Sequence, residues 1–168
     1  TGESLLNDVK LLVVEKMADR ELSEVEMESI ASDVCVAALK YSILKQSIGG
    51  DIVYDFEKSI SFEGDSGPYL QYSYARANSI LEKAKKENIK ANARNLPTEV
   101  TEVEKLLYRF PEVVGRATEG FAPHHIASYL IELGRSFNSF YGNNQRVNKE
   151  EKESGYRILL TEAFSIVM

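Results

Sequence analysis

Apolar residues recur along the first part of the chain at the three- and four-residue spacing of amphipathic helices. This spacing predicts a first helix over residues 5–17, followed by a short acidic break. Ser23, with Glu26 three positions later, has the pattern of a capping box that opens a second helix. We expect that helix to run to about Gln46, because the glycine pair at 49–50 would end it.

The middle of the chain predicts one short element and one long helix. Residues 52–62 are typical of a short helix or an irregular connection. Ser66 suits an N-cap, and Pro68 suits a first helical turn, where its missing N–H would be unpaired in any case. These signals open a strongly helical segment over residues 69–86.

The last part of the chain predicts three more helices. One begins after residues 98–99, and Pro111 is expected to force a bend or a new start within it. Pro123 opens another helix that closes at residues 142–144, and a final helix covers residues 150–168. No convincing alternation of polar and apolar residues indicates a strand. The pattern therefore predicts an all-α helical bundle.

Composition fits a soluble globular protein of one domain. The chain has 168 residues, of which 43% are hydrophobic and 27% charged, enough apolar content for a core. Its single cysteine, Cys35, excludes an internal disulfide, and its small apolar neighbours predict a buried thiol. No stretch approaches the roughly 20 apolar residues that span a bilayer. The first residues lack an initiator Met and signal-peptide features, so we expect a cut inside a longer protein.

Charge argues against general coating of a nucleic acid and leaves room for a local site. The chain has 20 Lys and Arg against 26 Asp and Glu, a net charge of -6. Residues 76–94 reverse this balance locally, with only two acidic side chains among six basic ones. The basic side chains are Arg76, Lys83, Lys85, Lys86, Lys90 and Arg94.

No residue pattern indicates catalysis. The chain has no Gly-rich phosphate loop, no Cys/His cluster and no nucleophile-elbow motif. His124 and His125 are adjacent, and neighbours on a helix point about 100° apart, which makes them a poor pair of metal ligands. We therefore predict neither a catalytic residue nor a metal site.

The aromatic residues are more informative. Tyr69, Tyr72 and Arg76 share one stripe of a predicted helix, which Lys83 extends. Rings beside cations hold unpaired bases in single-stranded RNA loops, but aromatic stripes at helical spacing usually fill a core. On the pattern alone both interpretations stay open. A separate stripe is the expected core face of this helix, and a second aromatic set lies in the helix after Pro123. The core stripe is Leu70, Tyr74, Ala77 and Leu81, and the second set is Phe137, Phe140 and Tyr141.

Three segments, in order, resemble the arginyl-tRNA synthetase family. Residues 62–76 read FEGDSGPYLQYSYAR and are similar to its turn and Tyr-Leu-Gln-Tyr…Arg helix. Residues 123–141, with ASYLIEL and FNSFY, resemble a second characteristic helix. Upstream, residues 38–41 read ALKY and match the segment that leads into this domain.

The resemblance implies a helical anticodon-binding domain of a class I synthetase. Residues 1–47 would be connecting helices after the catalytic domain, and residues 48–168 the anticodon-binding bundle, expected to be truncated at its C-terminus. The implied partner is the anticodon stem-loop of arginine tRNA, with Tyr69, Tyr72 and Arg76 facing it. Lys83, which extends the same stripe, is a further candidate RNA contact. Phe137 and Tyr141 carry over as walls of the same pocket.

The parent protein would be a cytoplasmic arginine–tRNA ligase. ATP and magnesium would be handled by its catalytic domain, so this chain alone is expected to be inactive and to bind no cofactor or membrane. The sequence leaves the oligomeric state open. It also leaves two alternatives: a helical protein-interaction module without RNA binding, and the anticodon-binding domain of a related synthetase, such as one for cysteine.

Overall fold

The fold was analysed in a computed structural model, which describes residues 2–18, 20–142 and 147–168. All regular secondary structure in these ranges is α-helical, so the predicted all-α fold is confirmed. The helices are α1 (Gly2–Lys16), α2 (Glu24–Leu44), α3 (Phe56–Ser59), α4 (Gly67–Lys86), α5 (Glu102–Glu119), α6 (His124–Gly142) and α7 (Ser154–Val167). None of the described helices combines the length and the apolar character needed to cross a membrane.

The chain divides into two compact units, Thr1–Gln71 and Tyr72–Met168. The sequence-based boundary at residues 47 and 48 does not coincide with this division. Helix α4 contributes its first turn to the first unit and the rest of its length to the second.

The first unit is built on the packing of α1 against α2. Val9, Val13 and Ala38 lie in its apolar core together with Cys35, whose predicted burial is confirmed. Burial raises the pKa of the Cys35 thiol. The thiol is therefore held in its neutral form and fills space as a small apolar group.

The predicted capping box at the start of α2 is present. The Ser23 backbone N–H donates to a Glu26 carboxylate oxygen at 3.0 Å, and the Glu26 N–H donates to the Ser23 hydroxyl at 3.3 Å. The Ser23 hydroxyl also donates to the Glu26 carboxylate at 2.6 Å, and this bond, followed by the one from the Ser23 backbone N–H, lowers the pKa of Glu26. The two bonds made by the Ser23 and Glu26 backbone N–H groups satisfy donors that the first helical turn leaves without partners.

The start of α4 lies against α2 in the first unit. Ser66 caps the helix as predicted, accepting the Tyr69 backbone N–H at 3.1 Å. A Cβ on Gly67 would lie 2.2 Å from the carbonyl oxygen of Ala37. Only glycine therefore permits this close approach of the two helices.

The second unit packs α5 against both α6 and α7. Its core gathers aliphatic and aromatic side chains from these helices and from α4. The buried members are Ala77, Val103, Leu106, Val113, Tyr129, Leu133, Phe137, Tyr156, Leu160 and Phe164.

Helix α5 corrects two sequence-based expectations. It begins at Glu102, where Thr101 and Glu104 form a capping box that the sequence analysis missed. It then continues through Pro111, so the new helix start, one of the two outcomes expected there, is wrong. Leu106 and Val113 bury in the same core on either side of the proline. Packing on both sides thus holds the helix together across the missing hydrogen bond.

The start of α7 differs from the prediction, and the predicted end of α6 can be compared with the structure only in part. Helix α7 begins at Ser154, later than predicted, because the preceding residues form turns. In those turns, Asn148 accepts the backbone N–H groups of Glu150 and Glu151. The predicted closing residues of α6 include Asn143 and Asn144, which lie outside the described residues.

Candidate nucleic-acid interface

Tyr72 and Arg76 lie one helical turn apart on α4, on the same face. The Tyr72 side chain is 48% exposed, so part of its ring is available to a flat ligand. Arg76 is half-buried. Together they provide an aromatic surface beside a permanent positive charge, the combination that holds an unpaired base and its phosphate.

Arg76 is anchored by a polar chain that crosses from α4 to α6. Its Nη1 donates to Oδ1 of Asn138 at 3.0 Å. The amide nitrogen of Asn138 in turn donates to the hydroxyl of Ser73 at 2.9 Å. Ser73 is fully buried, so one end of this chain lies in the protein interior while the other holds a guanidinium group beside Tyr72.

The prediction of which side of α4 faces the core is partly wrong, and the hydrogen bonds from Arg76 through Asn138 to Ser73 give the reason. Tyr74, predicted to be buried, is exposed, whereas Ser73 and Ala77 are fully buried. The small side chains of Ser73 and Ala77 permit close packing in the second unit, and the Asn138 contact brings α6 to this face. A tyrosine side chain would be too large for the closely packed positions that Ser73 and Ala77 occupy.

Tyr69 is not available to RNA in this structure, contrary to the expected exposure of its ring. Only 8% of its surface is exposed, and its backbone N–H is engaged by the Ser66 cap. Tyr69 belongs to the first unit and lies in the first turn of α4, next to the close approach of Gly67 to Ala37. The Tyr69 ring therefore has little exposed surface on which a base could stack.

Phe137 also fails as a pocket wall, because it is fully buried in the second unit's core. Its ring stacks on Phe164, with centroids 3.8 Å apart and planes 10° from parallel. The packing of its ring against Phe164 and Tyr141 leaves Phe137 no exposed face for a base.

Tyr141 is partly buried beside Phe137, with ring centroids 4.9 Å apart. Its hydroxyl donates to the backbone carbonyl of Arg157 at 3.1 Å and lies 2.5 Å from the hydroxyl of Thr161. Burial raises the pKa of the Tyr141 phenol. The hydroxyl end of this ring thus contacts α7, and the ring itself packs against the edge of the second unit's core.

Lys83 lies further along α4 and is solvent-exposed. Its ammonium group is 3.8 Å from the carboxylate of Glu87, a loose ion pair on the surface. Lys83, Lys85 and Lys86 all occupy the last turn of the helix, where positive charge is favoured by the helix dipole. This local stabilisation accounts for part of the basic stretch without any ligand.

A groove of about 460 Å³ lies beside this end of α4. Lys85 and Lys90 line it, but so do Glu82 and Glu162. The carboxylates offset the positive charge of the lysines, so the groove has no consistent preference for phosphate. Among the described residues, no group of three or more His, Cys, Asp or Glu is placed to hold a metal ion.

Asn138 and Ser73 are the site residues that sequence reasoning missed. The sequence-based interpretation gives neither residue a role in the site. The signal of Asn138 is visible in retrospect, since it is an amide between the apolar positions Phe137 and Phe140. A polar residue on the edge of a core face is often retained for a specific hydrogen bond.

Comparison with known families identifies the kind of domain that contains Tyr72 and Arg76. The DALR anticodon binding domain family matches residues 70–168, more than half of the chain, including Tyr72, Arg76 and Asn138. The chain belongs to this family. The DALR match begins within α4 and covers the whole second compact unit.

Curated relatives of the chain are arginine–tRNA ligases. The chain is 38% identical over 167 residues to the enzyme of Pyrococcus furiosus, a match covering 94% of the chain and 26% of that protein. It is 35% identical over 166 residues to the Lactobacillus johnsonii enzyme, covering 99% of the chain and 30% of that protein. The chain thus spans less than a third of the length of these relatives.

Solved structures agree with the helical architecture. Thermus thermophilus arginyl-tRNA synthetase superposes with a TM-score of 0.69 at 29% identity, covering 98% of this chain and 28% of that one. The arginyl-tRNA synthetase of Plasmodium falciparum gives a TM-score of 0.77 at 22% identity, covering 98% of this chain and 30% of that one. At 22% sequence identity, the match to the Plasmodium falciparum protein shows only that the two share a fold.

Proposed function

We propose that this chain binds the anticodon stem-loop of arginine tRNA as part of an arginine–tRNA ligase. The observation that carries the proposal is the exposed Tyr72 beside Arg76, within the segment that matches the DALR family. The named relatives support the choice of arginine. The catalytic domain, with its ATP and magnesium, would lie outside this chain, and the parent protein would work in the cytoplasm.

Recognition would combine stacking with charge. Tyr72 offers a partly exposed ring to one unpaired base, and Arg76 offers guanidinium donors to a neighbouring phosphate or base edge. Arginine codons share a central G, so their anticodons share a central C, which gives one common base to recognise. Lys83 would add a phosphate contact that does not depend on sequence.

The other aromatic residues would act indirectly. Phe137 and Tyr141 keep α6 packed on α7, and the Tyr69 ring is buried in the first turn of α4. Because these rings support the helices that present the interface, their substitution should weaken RNA binding only as far as it unfolds the domain. The direct contacts are thereby reduced to Tyr72, Arg76 and Lys83.

The test is a fluorescence titration of the chain with an arginine anticodon stem-loop and with a copy whose central cytosine is replaced. We expect tighter binding of the cytosine loop, and we expect the preference to fall in both Tyr72→Ala and Arg76→Ala. Because the chain has a net charge of -6, binding should be weak and should fall as salt is raised.

Lys83→Gln gives the matched electrostatic control. It should reduce the slope of log affinity against log salt by about 0.7, as expected for one lost phosphate contact, and leave the cytosine preference unchanged. Equal binding of both loops by the wild-type chain, or salt-insensitive binding, would contradict the proposal and favour a protein-interaction module.

A further inference from the structure

The guanidinium of Arg76 is held by a hydrogen bond within the protein itself, without any ligand. Asn138 accepts one of its N–H groups at 3.0 Å, and Asn138 is itself oriented by donating to Ser73 at 2.9 Å. An amide side chain can do both only in one orientation, with its oxygen toward Arg76 and its nitrogen toward Ser73. The buried hydroxyl therefore fixes the amide, and the amide fixes the guanidinium.

From this geometry we infer that Asn138 is a positioning residue, which holds the Arg76 guanidinium in the orientation that reads the RNA. The inference rests on the proposed function, and it assigns to an uncharged residue on α6 a share of the base preference. Asn138 itself contributes no charge and needs no contact with RNA.

The physical reason is preorganisation. An arginine side chain on an open surface samples many rotamers, and fixing one of them on binding costs entropy. A guanidinium held on one side by Asn138 has already lost part of that freedom and keeps its other N–H donors in a fixed plane. Directional contacts to a base edge depend on that plane, whereas attraction to phosphate depends mainly on the charge.

Asn138→Ala therefore separates orientation from charge. It should lower the preference for the cytosine loop by about tenfold, the loss expected for one charge-assisted hydrogen bond. The salt dependence should stay unchanged, because Arg76 keeps its charge. Arg76→Ala should instead lower the preference and also reduce the salt slope by about 0.7 to 0.9.

Asn78→Ala is the matched control within the same unit. Asn78 also makes a side-chain hydrogen bond between helices, accepting the Ser165 hydroxyl at 3.3 Å, but it is not the residue that holds Arg76. It should leave the preference unchanged. Asn138→Asp should restore much of the preference, since a carboxylate still accepts from Arg76, while lowering affinity for both loops through its negative charge.

Nitrogen-15 NMR of the free chain tests the positioning step without RNA. The Arg76 guanidinium signals should be resolved in the wild type and in Asn78→Ala, but averaged by rotation in Asn138→Ala. Unchanged Arg76 signals in Asn138→Ala would overturn the inference, and so would averaged signals with an unchanged cytosine preference. If the wild type does not distinguish the two loops, the proposed function is wrong, and so is the role of Asn138 in reading RNA. The NMR result still decides separately whether Asn138 orders Arg76.

Discussion

The exposed face of α4 and the aromatic core behind α6 use similar residues for opposite purposes. Tyr72 on α4 is 48% exposed, with Arg76 one turn away. Phe137 on α6 is fully buried and stacks on Phe164 at 3.8 Å. Both aromatic residues lie on amphipathic helices of the same compact unit. They differ in packing, because neighbouring side chains cover the Phe137 ring completely and leave about half of the Tyr72 side chain exposed.

The candidate interface and the aromatic core are linked through α6. Phe137 anchors this helix in the core, and the next residue, Asn138, reaches Arg76 on the outside. Consecutive helical residues point about 100° apart, so a single turn can serve both regions. Core substitutions should therefore change stability first, and face substitutions should change RNA binding first.

Phe137→Ala should give the largest effect. Removing a fully buried aromatic ring leaves a cavity and should lower the free energy of unfolding by about 3–5 kcal/mol, measured by urea denaturation. RNA binding should be lost only in proportion to the unfolded fraction. Loss of binding at unchanged stability would mean that Phe137 does form part of the pocket.

Tyr72→Ala should show the opposite pattern. Removing a stacking ring should weaken binding of the arginine stem-loop by about 1–3 kcal/mol. Stability should change by no more than about 0.5 kcal/mol, because the side chain is on the surface. Tyr74→Ala is the matched control, since Tyr74 is 43% exposed on the same helix but points away from the Tyr72 face. Equal losses of binding in the two variants would remove the distinction between the faces.

Tyr141→Phe should sharpen the assignment of Tyr141 to the core. The change keeps the ring and removes the hydroxyl that contacts the Arg157 carbonyl and Thr161. The free energy of unfolding should fall by about 0.5–1.5 kcal/mol, the usual net value of one hydrogen bond. The stem-loop titration should be unchanged at temperatures where the variant is folded, and a clear loss of affinity there would return Tyr141 to the interface.

The smallest expected effect is a pH dependence that originates in the core. Burial raises the pKa of Tyr129 to about 12, and its hydroxyl donates to the Leu106 carbonyl at 3.0 Å. In the unfolded chain a tyrosine ionises near pH 10, at about its ordinary pKa. The unfolded state therefore loses its proton first, and the stability from neutral Tyr129 is lost as pH rises from about 10 to 12.

Urea unfolding at a series of alkaline pH values measures this loss. Tyr129→Phe should be less stable than the wild type at neutral pH, and its stability should fall less steeply above about pH 10. Tyr108→Phe is the control, because Tyr108 is 88% exposed on α5 and its variant should follow the wild-type profile. A Tyr129→Phe profile parallel to the wild type would show that Tyr129 does not couple folding to pH.

Much of the helical architecture followed from local signals in the sequence. The Ser23 and Glu26 pair, the Ser66 cap and the spacing of apolar residues each act within one or two turns of the chain. Such signals need no knowledge of distant residues. Together with the order of the FEGDSGPYLQYSYAR and FNSFY segments, they predicted an all-α fold and the family to which the chain belongs.

The tertiary structure decided which side of each helix is available. Tyr69 is buried in the first unit, Tyr74 is exposed, and Pro111 lies inside a continuous helix. In each case the outcome depends on contacts with residues far away in sequence. The bond from Arg76 to Asn138 joins positions 62 residues apart, and no local pattern encodes it. Helical periodicity establishes that two side chains share a face, but only packing determines whether that face meets water or another helix.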